Sequence, residues 1–146
     1  LDKDHSQQEL VMAVGNAAFE GILREIPGLT ASEDLSTYQH CFVTMSGDGT
    51  VAHAAHTNRA IGILQNNPLS GGAAVVAGVG SVSKLRVAAA GAVTYGQQVA
   101  PDNTSPANLG RAIVATTGDY PVATVLVGGA AGETIPVLFT GSDRVL

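Results

Sequence analysis

No tryptophan occurs among the 146 residues, phenylalanine and tyrosine number three each, and Cys41 is the single cysteine. One thiol excludes an intrachain disulfide framework and fits folding in a reducing compartment. So few aromatic rings leave valine, isoleucine, leucine and alanine to fill any core. Charge is scarce too: Asp, Glu, Lys and Arg make up 13% of the chain, against roughly 25% in an ordinary soluble domain. The basic residues Lys3, Arg24, Arg59, Lys84, Arg86, Arg111 and Arg144 are scattered singly under a net charge of −5. The clustered cations that neutralise nucleic-acid phosphates are missing, so no direct nucleic-acid binding is expected. No apolar run approaches the roughly 20 residues of a membrane span, so no membrane partner is expected either. The chain opens on Leu1 rather than methionine, which leaves room for a removed leader.

What is present is small and aliphatic. Apolar residues reach 45% and there are 18 glycines, a composition that predicts one domain around one modest core. A thin aliphatic core stabilises weakly per residue, and a surface poor in charge is costly to leave bare. Both point to a chain that is covered in use, by copies of itself or by another protein.

Two parts differ in texture. Residues 1–32 hold Asp2, Lys3, Asp4, His5, Glu9, Glu20, Arg24 and Glu25. The capping-box pattern Ser6-Gln7-Gln8-Glu9, followed by Leu10, Val11, Val14, Ala18 and Ile22, predicts a helix over about 7–25, broken at Pro27-Gly28. This part reads as an N-terminal helical or extended arm. Residues 33–146 read as short strands bounded by glycine turns. They comprise a hairpin of 38–45 and 50–55 about Asp48-Gly49, a strand in 59–65, a pair in 69–80 and 81–88, and a strand in 90–102 bending at Gly96. The last strands fall in 111–116, 122–127 and 134–140. The fold class is mainly β, a small barrel or sandwich. Arg-Ala-Ile recurs at 59–61 and 111–113 and Gly-Gly-Ala-Ala at 71–74 and 128–131, a faint echo that repeated use of one hairpin type explains as well as duplication.

Catalytic patterns are weak. His53 and His56 form H-x-x-H, with His40 and Cys41 nearby, but residues three apart on a strand face opposite ways and do not share a metal. Ser81-Val82-Ser83-Lys84 matches S-x-x-K, whose chemistry needs one helical turn; here it falls in an alternating β segment. No nucleophile elbow, phosphate loop or dinucleotide fingerprint occurs. Ser46-Gly47-Asp48-Gly49-Thr50 reads as a turn, not a calcium loop, since it carries one carboxylate. Asn103-Thr104-Ser105 is a formal glycosylation sequon. No catalytic residue, cofactor or metal site is therefore expected. The side chains expected to make contacts are Leu10, Val11, Phe19 and Ile22 on the arm, with Tyr38 and Tyr95 as aromatic anchors.

Read in order, EDLSTYQHCFVTMSGDGTVAHA (33–54), AIGILQNNPLSGGAAVVAGVGSVSKLRVAAAGAVTYGQQVAPDN (60–103), GRAIVATTGD (110–119) and GGAAGETIPVLF (128–139) resemble the capsid decoration, or cement, proteins of tailed bacteriophages. The shared words are Q-x-x-F-V, G-D-G, A-I-G-I-L-Q-N-x-P-x-x-G, G-A-V-x-x-G and G-E-x-I-x-V-L, spread over residues 33–140. The resemblance implies a β-tulip-like domain on the outer surface of the expanded capsid, often a homotrimer, cementing adjacent copies of the major capsid protein. It implies no catalysis and no cofactor. It also suggests an edge strand that pairs with capsid-protein loops. Residues 1–32 are longer than the short arm of that family. The alternatives are a small ligand- or metal-binding β-domain using His53 and His56, and a tail or fibre structural component.

Overall fold

The computed structural model describes residues 23–55, 58–89, 91–102 and 108–142. Among these the chain is almost entirely β, with ten short strands in two five-stranded sheets. The first sheet holds β1 (Thr30–Ala31), β2 (Phe42–Gly47), β3 (Thr50–His53), β4 (Gly62–Leu64) and β5 (Val76–Ala77), in the order β1-β3-β2-β4-β5. The second holds β6 (Val82–Arg86), β7 (Gln98–Pro101), β8 (Ala112–Val114), β9 (Ala123–Val125) and β10 (Thr134–Phe139), in the order β6-β10-β9-β7-β8. The mainly β class expected from the glycine-bounded alternation is what the chain adopts.

Each sheet curls until its edges meet. In the second, the continuation of β6 reaches β8 through a parallel bridge between Val87 and Ala112, and Ala88 N–H donates to Ala112 O at 2.9 Å. In the first, the segment 24–32 lies between β3 and the chain leading into β5. Thr30 and Ser32 donate to Gly49 O and Val51 O on one side, at 3.0 and 2.9 Å. On the other side Ile26 and Ala31 donate to Val76 O and Gly72 O, at 3.0 and 2.9 Å, and Ala74 and Gly78 return bonds to Leu29 O and Arg24 O. Closure pairs the backbone groups that an open edge would leave exposed.

Side-chain alternation splits the apolar residues into two clusters, where composition predicts one core. On β2, Phe42 faces the second sheet while Val43 faces the other way; on β4, Ile63 and Leu64 divide in the same manner. One cluster fills the second sheet and its junction with the first: Phe42, Ile63, Leu85, Val99, Val137 and Phe139 are fully buried there, with the Phe42 and Phe139 rings tilted at 53° and 6.3 Å apart. The other, including Leu35, Val43, Val51, Leu64 and Val76, fills the first sheet and is flanked by Ile26, Tyr38 and Ile61. At the junction Phe42 N–H donates to Gly110 O at 2.7 Å, Arg86 N–H to His40 O at 2.9 Å, and Gln65 Nε2 to the buried Ser83 Oγ at 2.7 Å.

Several expectations shift in position. The Asp48-Gly49 hairpin is present, with Gly49 at φ 70° and a register irregularity between Met45 and Gly47. The pair expected over 69–88 is unequal, since only Val76–Ala77 forms a strand before β6. β7 follows the Gly96 turn rather than leading into it. β10 carries Pro136 although it lies between two neighbours. Its β9 ladder runs from Phe139 to Val137 and stops where Pro136 has no N–H to give, while Pro136 O still accepts from Leu126 N–H at 3.1 Å. The end of the segment read as an arm is part of the first sheet: β1 lies there, Leu29 and Ala31 are buried, and Leu23–Glu25, expected as the last helical turn, are extended, with Glu25 bridged to Ala77. The rest of the expected helix lies outside the described residues.

Gly62 is required by close approach. A Cβ there would run into Ala77 O and lie 2.5 Å from Val76 Cγ1, whereas one at Gly91 meets nothing within 4 Å. Gly62→Ala is expected to cost about 3 kcal/mol, in the range of overpacked cores, and Gly91→Ala to leave stability nearly unchanged. Urea unfolding midpoints check both, and equal midpoints would contradict the packing of β4 on β5.

Candidate functional site

Two residues singled out from sequence for different reasons, His53 and Tyr38, are brought together at the edge of the first sheet. Of β3, β1 covers only Thr50 and Val51, so the end of that strand needs another partner. Glu33 supplies it: its Oε1 accepts the His53 backbone N–H at 3.1 Å and lies 2.5 Å from His53 Nδ1. The Tyr38 ring stacks on the imidazole, 5.1 Å between centroids and 11° from parallel. Partial burial pushes the Tyr38 hydroxyl above its ordinary pKa, and the negative charge of Glu33, then Cys41, adds to this. The carboxylate, imidazole and phenol together cap a strand end. Tyr38 is half-buried against the first-sheet cluster, so most of its ring is committed to the fold.

The other candidates from sequence separate. His56 lies outside the described residues. His53 Nδ1 is taken by Glu33, and among the described residues no three His, Cys, Asp or Glu side chains stand together as a metal site. Cys41 is buried, and desolvation pushes its thiol up to about 11, outweighing the nearby positive charges of Arg86 and Arg111. Metal ligation and nucleophilic attack both use the thiolate, which this environment disfavours. Ser81 and Lys84 fall on opposite sides of β6: Ser81 is fully buried, and its Oγ accepts Arg24 N–H at 2.7 Å. The Asp48 turn is held by hydroxyls, Ser46 Oγ donating to Ser32 Oγ at 2.7 Å and lying 3.1 Å from Thr50 Oγ1. The glycosylation triplet 103–105 lies outside the described residues.

The most exposed apolar side chains sit on turns, while the less exposed Met45 and Val114 lie on β2 and β8. Tyr95, at 80% exposure, projects from the turn before β7. Leu69 and Val79, at 66% and 61%, are equally prominent and were not anticipated. Their signal was present: Leu69 follows Pro68 in a turn, and Val79 stands between Gly78 and Gly80, neither in a segment that buries alternate residues. Met45 and Leu23 are also exposed. Of the other expected contacts, Leu10, Val11, Phe19 and Ile22 lie outside the described residues.

No family model matches the chain, and no curated protein matches it. Among solved structures the chain is similar to the head fiber gp8.5 N base in bacteriophage phi29. The TM-score is 0.56 over 80% of this chain and 94% of that one, at 10% sequence identity. At that identity the likeness is one of fold.

The Cys41 environment sets an alkaline limit on stability. In the unfolded chain the thiol ionises near its ordinary value of 9.0, and in the folded chain only near 11. Its contribution is therefore intact below pH 9 and is lost as pH rises through 9 toward 11, because the unfolded state gives up its proton first. The urea midpoint is expected to fall more steeply over that interval in the wild type than in Cys41→Ala. Parallel pH profiles would show that the thiol is not desolvated.

Proposed function

We propose that the chain is a structural component of a bacteriophage virion, and that it acts as a decoration protein on the outer surface of the expanded head, cementing adjacent copies of the major capsid protein. One observation carries this reading: the two-sheet fold is similar to that of a phage head fiber base over most of both chains. The ordered succession of decoration-family words over residues 33–140 supports the finer assignment. The side chains on the surface suit such a role, since the exposed apolar residues are spread singly over separate turns and strands. On this reading the protein has no catalytic step and no cofactor, and it assembles as a closed oligomer, a trimer, seated between capsid subunits.

The fold likeness favours a second reading, a fibre base, because the similar structure is itself the base of a head fiber. The effect on the shell separates the two: a cement protein makes it more resistant to heat, and a fibre base need not. Co-sedimentation of the full chain with expanded capsids lacking it is expected to saturate at a fixed ratio near one copy per major capsid protein, with a raised capsid melting temperature. Saturable binding that leaves the capsid melting temperature unchanged would select the fibre reading, and no binding would sink both.

A further inference from the structure

Where the two sheets meet, an open groove of about 280 Å³ is lined by Ser36, Thr37, Gln39, His40, Arg86 and Thr134. Its walls come from distant parts of the chain: the turn leading into β2, and the ends of β6 and β10, where Arg86 and Thr134 are cross-strand partners. The bond from Arg86 N–H to His40 O ties the walls together. His40 adopts φ 63°, the left-handed region, and is the one non-glycine residue among those described to do so. That conformation is strained for a side chain with a Cβ and is kept where the surroundings impose it, often at a binding site.

One cation faces this groove, with a carboxylate at its rim, where Asp34 accepts from Ser36 N–H at 2.9 Å. Arg86 is half-buried, and among the described residues no carboxylate forms an ion pair with it. Arg86 lines the groove in a chain of net charge −5, while Arg111 stands behind it, hydrogen-bonded to the buried thiol of Cys41. A guanidinium fork beside hydroxyl donors is the arrangement that recognises a carboxylate. A polyphosphate backbone would require a longer row of cations.

We propose that this groove binds a carboxylate, presented as an Asp or Glu side chain by a loop of a partner protein. The carboxylate site follows from the groove alone; the identity of its occupant as part of a virion protein rests on the function proposed above. Arg86 takes the charge, and Thr37 and Thr134 supply the surrounding hydroxyls, the Ser36 hydroxyl being given to Asp34.

The test is a titration of the isotope-labelled full chain with a short Asp/Glu peptide, its Asn/Gln counterpart and glutarate, followed through backbone amide signals. The acidic peptide is expected to give saturable shifts at residues 36–40, Arg86 and Thr134 that weaken with added salt, while the neutral peptide gives none. Arg86→Gln is expected to weaken binding about tenfold or more, as for loss of a charged hydrogen bond, with the remaining spectrum unchanged. Thr134→Val, at an exposed position, gives a smaller loss without touching the junction. Absent shifts, equal response to the neutral peptide, or undiminished binding by Arg86→Gln overturns the site. Glutarate binding as tightly as the peptide overturns the assignment to a partner protein in favour of a small dicarboxylate. Peptide binding without capsid binding would leave the groove standing and remove the virion reading. Capsid binding without peptide binding would do the reverse.

Discussion

β2 and β4 each present large apolar side chains to both of their faces, and the rest of the fold follows from having to bury both. Phe42 and Val43, like Ile63 and Leu64, are fully buried on opposite sides of one sheet. Leaving either side in water would forfeit about 1.5–3 kcal/mol per side chain, a large loss for a chain with so few aromatic rings. The second sheet covers one face, bringing Leu85, Val137 and Phe139 against Phe42 and Ile63. The strand-like segment 24–32 and the turn carrying Leu35 and Tyr38 cover the other. Small residues follow from the same demand, because β5 lies so close to β4 that Gly62 has no room for a methyl group.

Closure of both sheets determines what remains for partners. The bridges at Val87–Ala112 and Glu25–Ala77, with Glu33 capping the end of β3, take up backbone groups that strand addition would use. Pairing of a capsid loop with an open edge, the mode suggested by the sequence, therefore has little backbone to work with among the described residues. Side chains on turns are the available means of contact, and the polar groove at the junction adds a charged point among them.

How much of this could be read from the sequence depends on how local each feature is. The hairpin at Asp48-Gly49 was legible because glycine supplies its positive φ and β-branched residues flank it. β6 and β10 were legible from alternation, Ser83 and Leu85 inward on one, Ile135, Val137 and Phe139 on the other. β1 was not, since Thr30 and Ala31 carry no strand signal and pair in parallel with β3 some twenty residues away. The stacking of Tyr38 on His53 was not legible, since it depends on Glu33 holding the imidazole in place. Leu69 and Val79 fell within the segment read as a strand over 69–80, although Pro68, Gly78 and Gly80 beside them signal turns. The groove was hidden for a further reason: Arg86 and Thr134 stand far along the chain from Ser36–His40, and neither part is unusual by itself.

Turn-tip contacts have a consequence for the kind of partner this surface suits. One exposed tyrosine or leucine, fully buried, supplies about 1.5–3 kcal/mol, while even a micromolar complex needs about 8 kcal/mol after the costs of association. Tyr95, Leu69 and Val79 therefore hold a partner only when several are engaged together or when many copies bind side by side. A small soluble ligand provides neither condition. A repeating shell provides both, and a copy wedged between subunits gains from each neighbour it touches. A weak, low-charge surface on a closed β fold is thus better matched to a lattice than to a single pocketed partner, which is why the proposed virion role asks so little of any one residue.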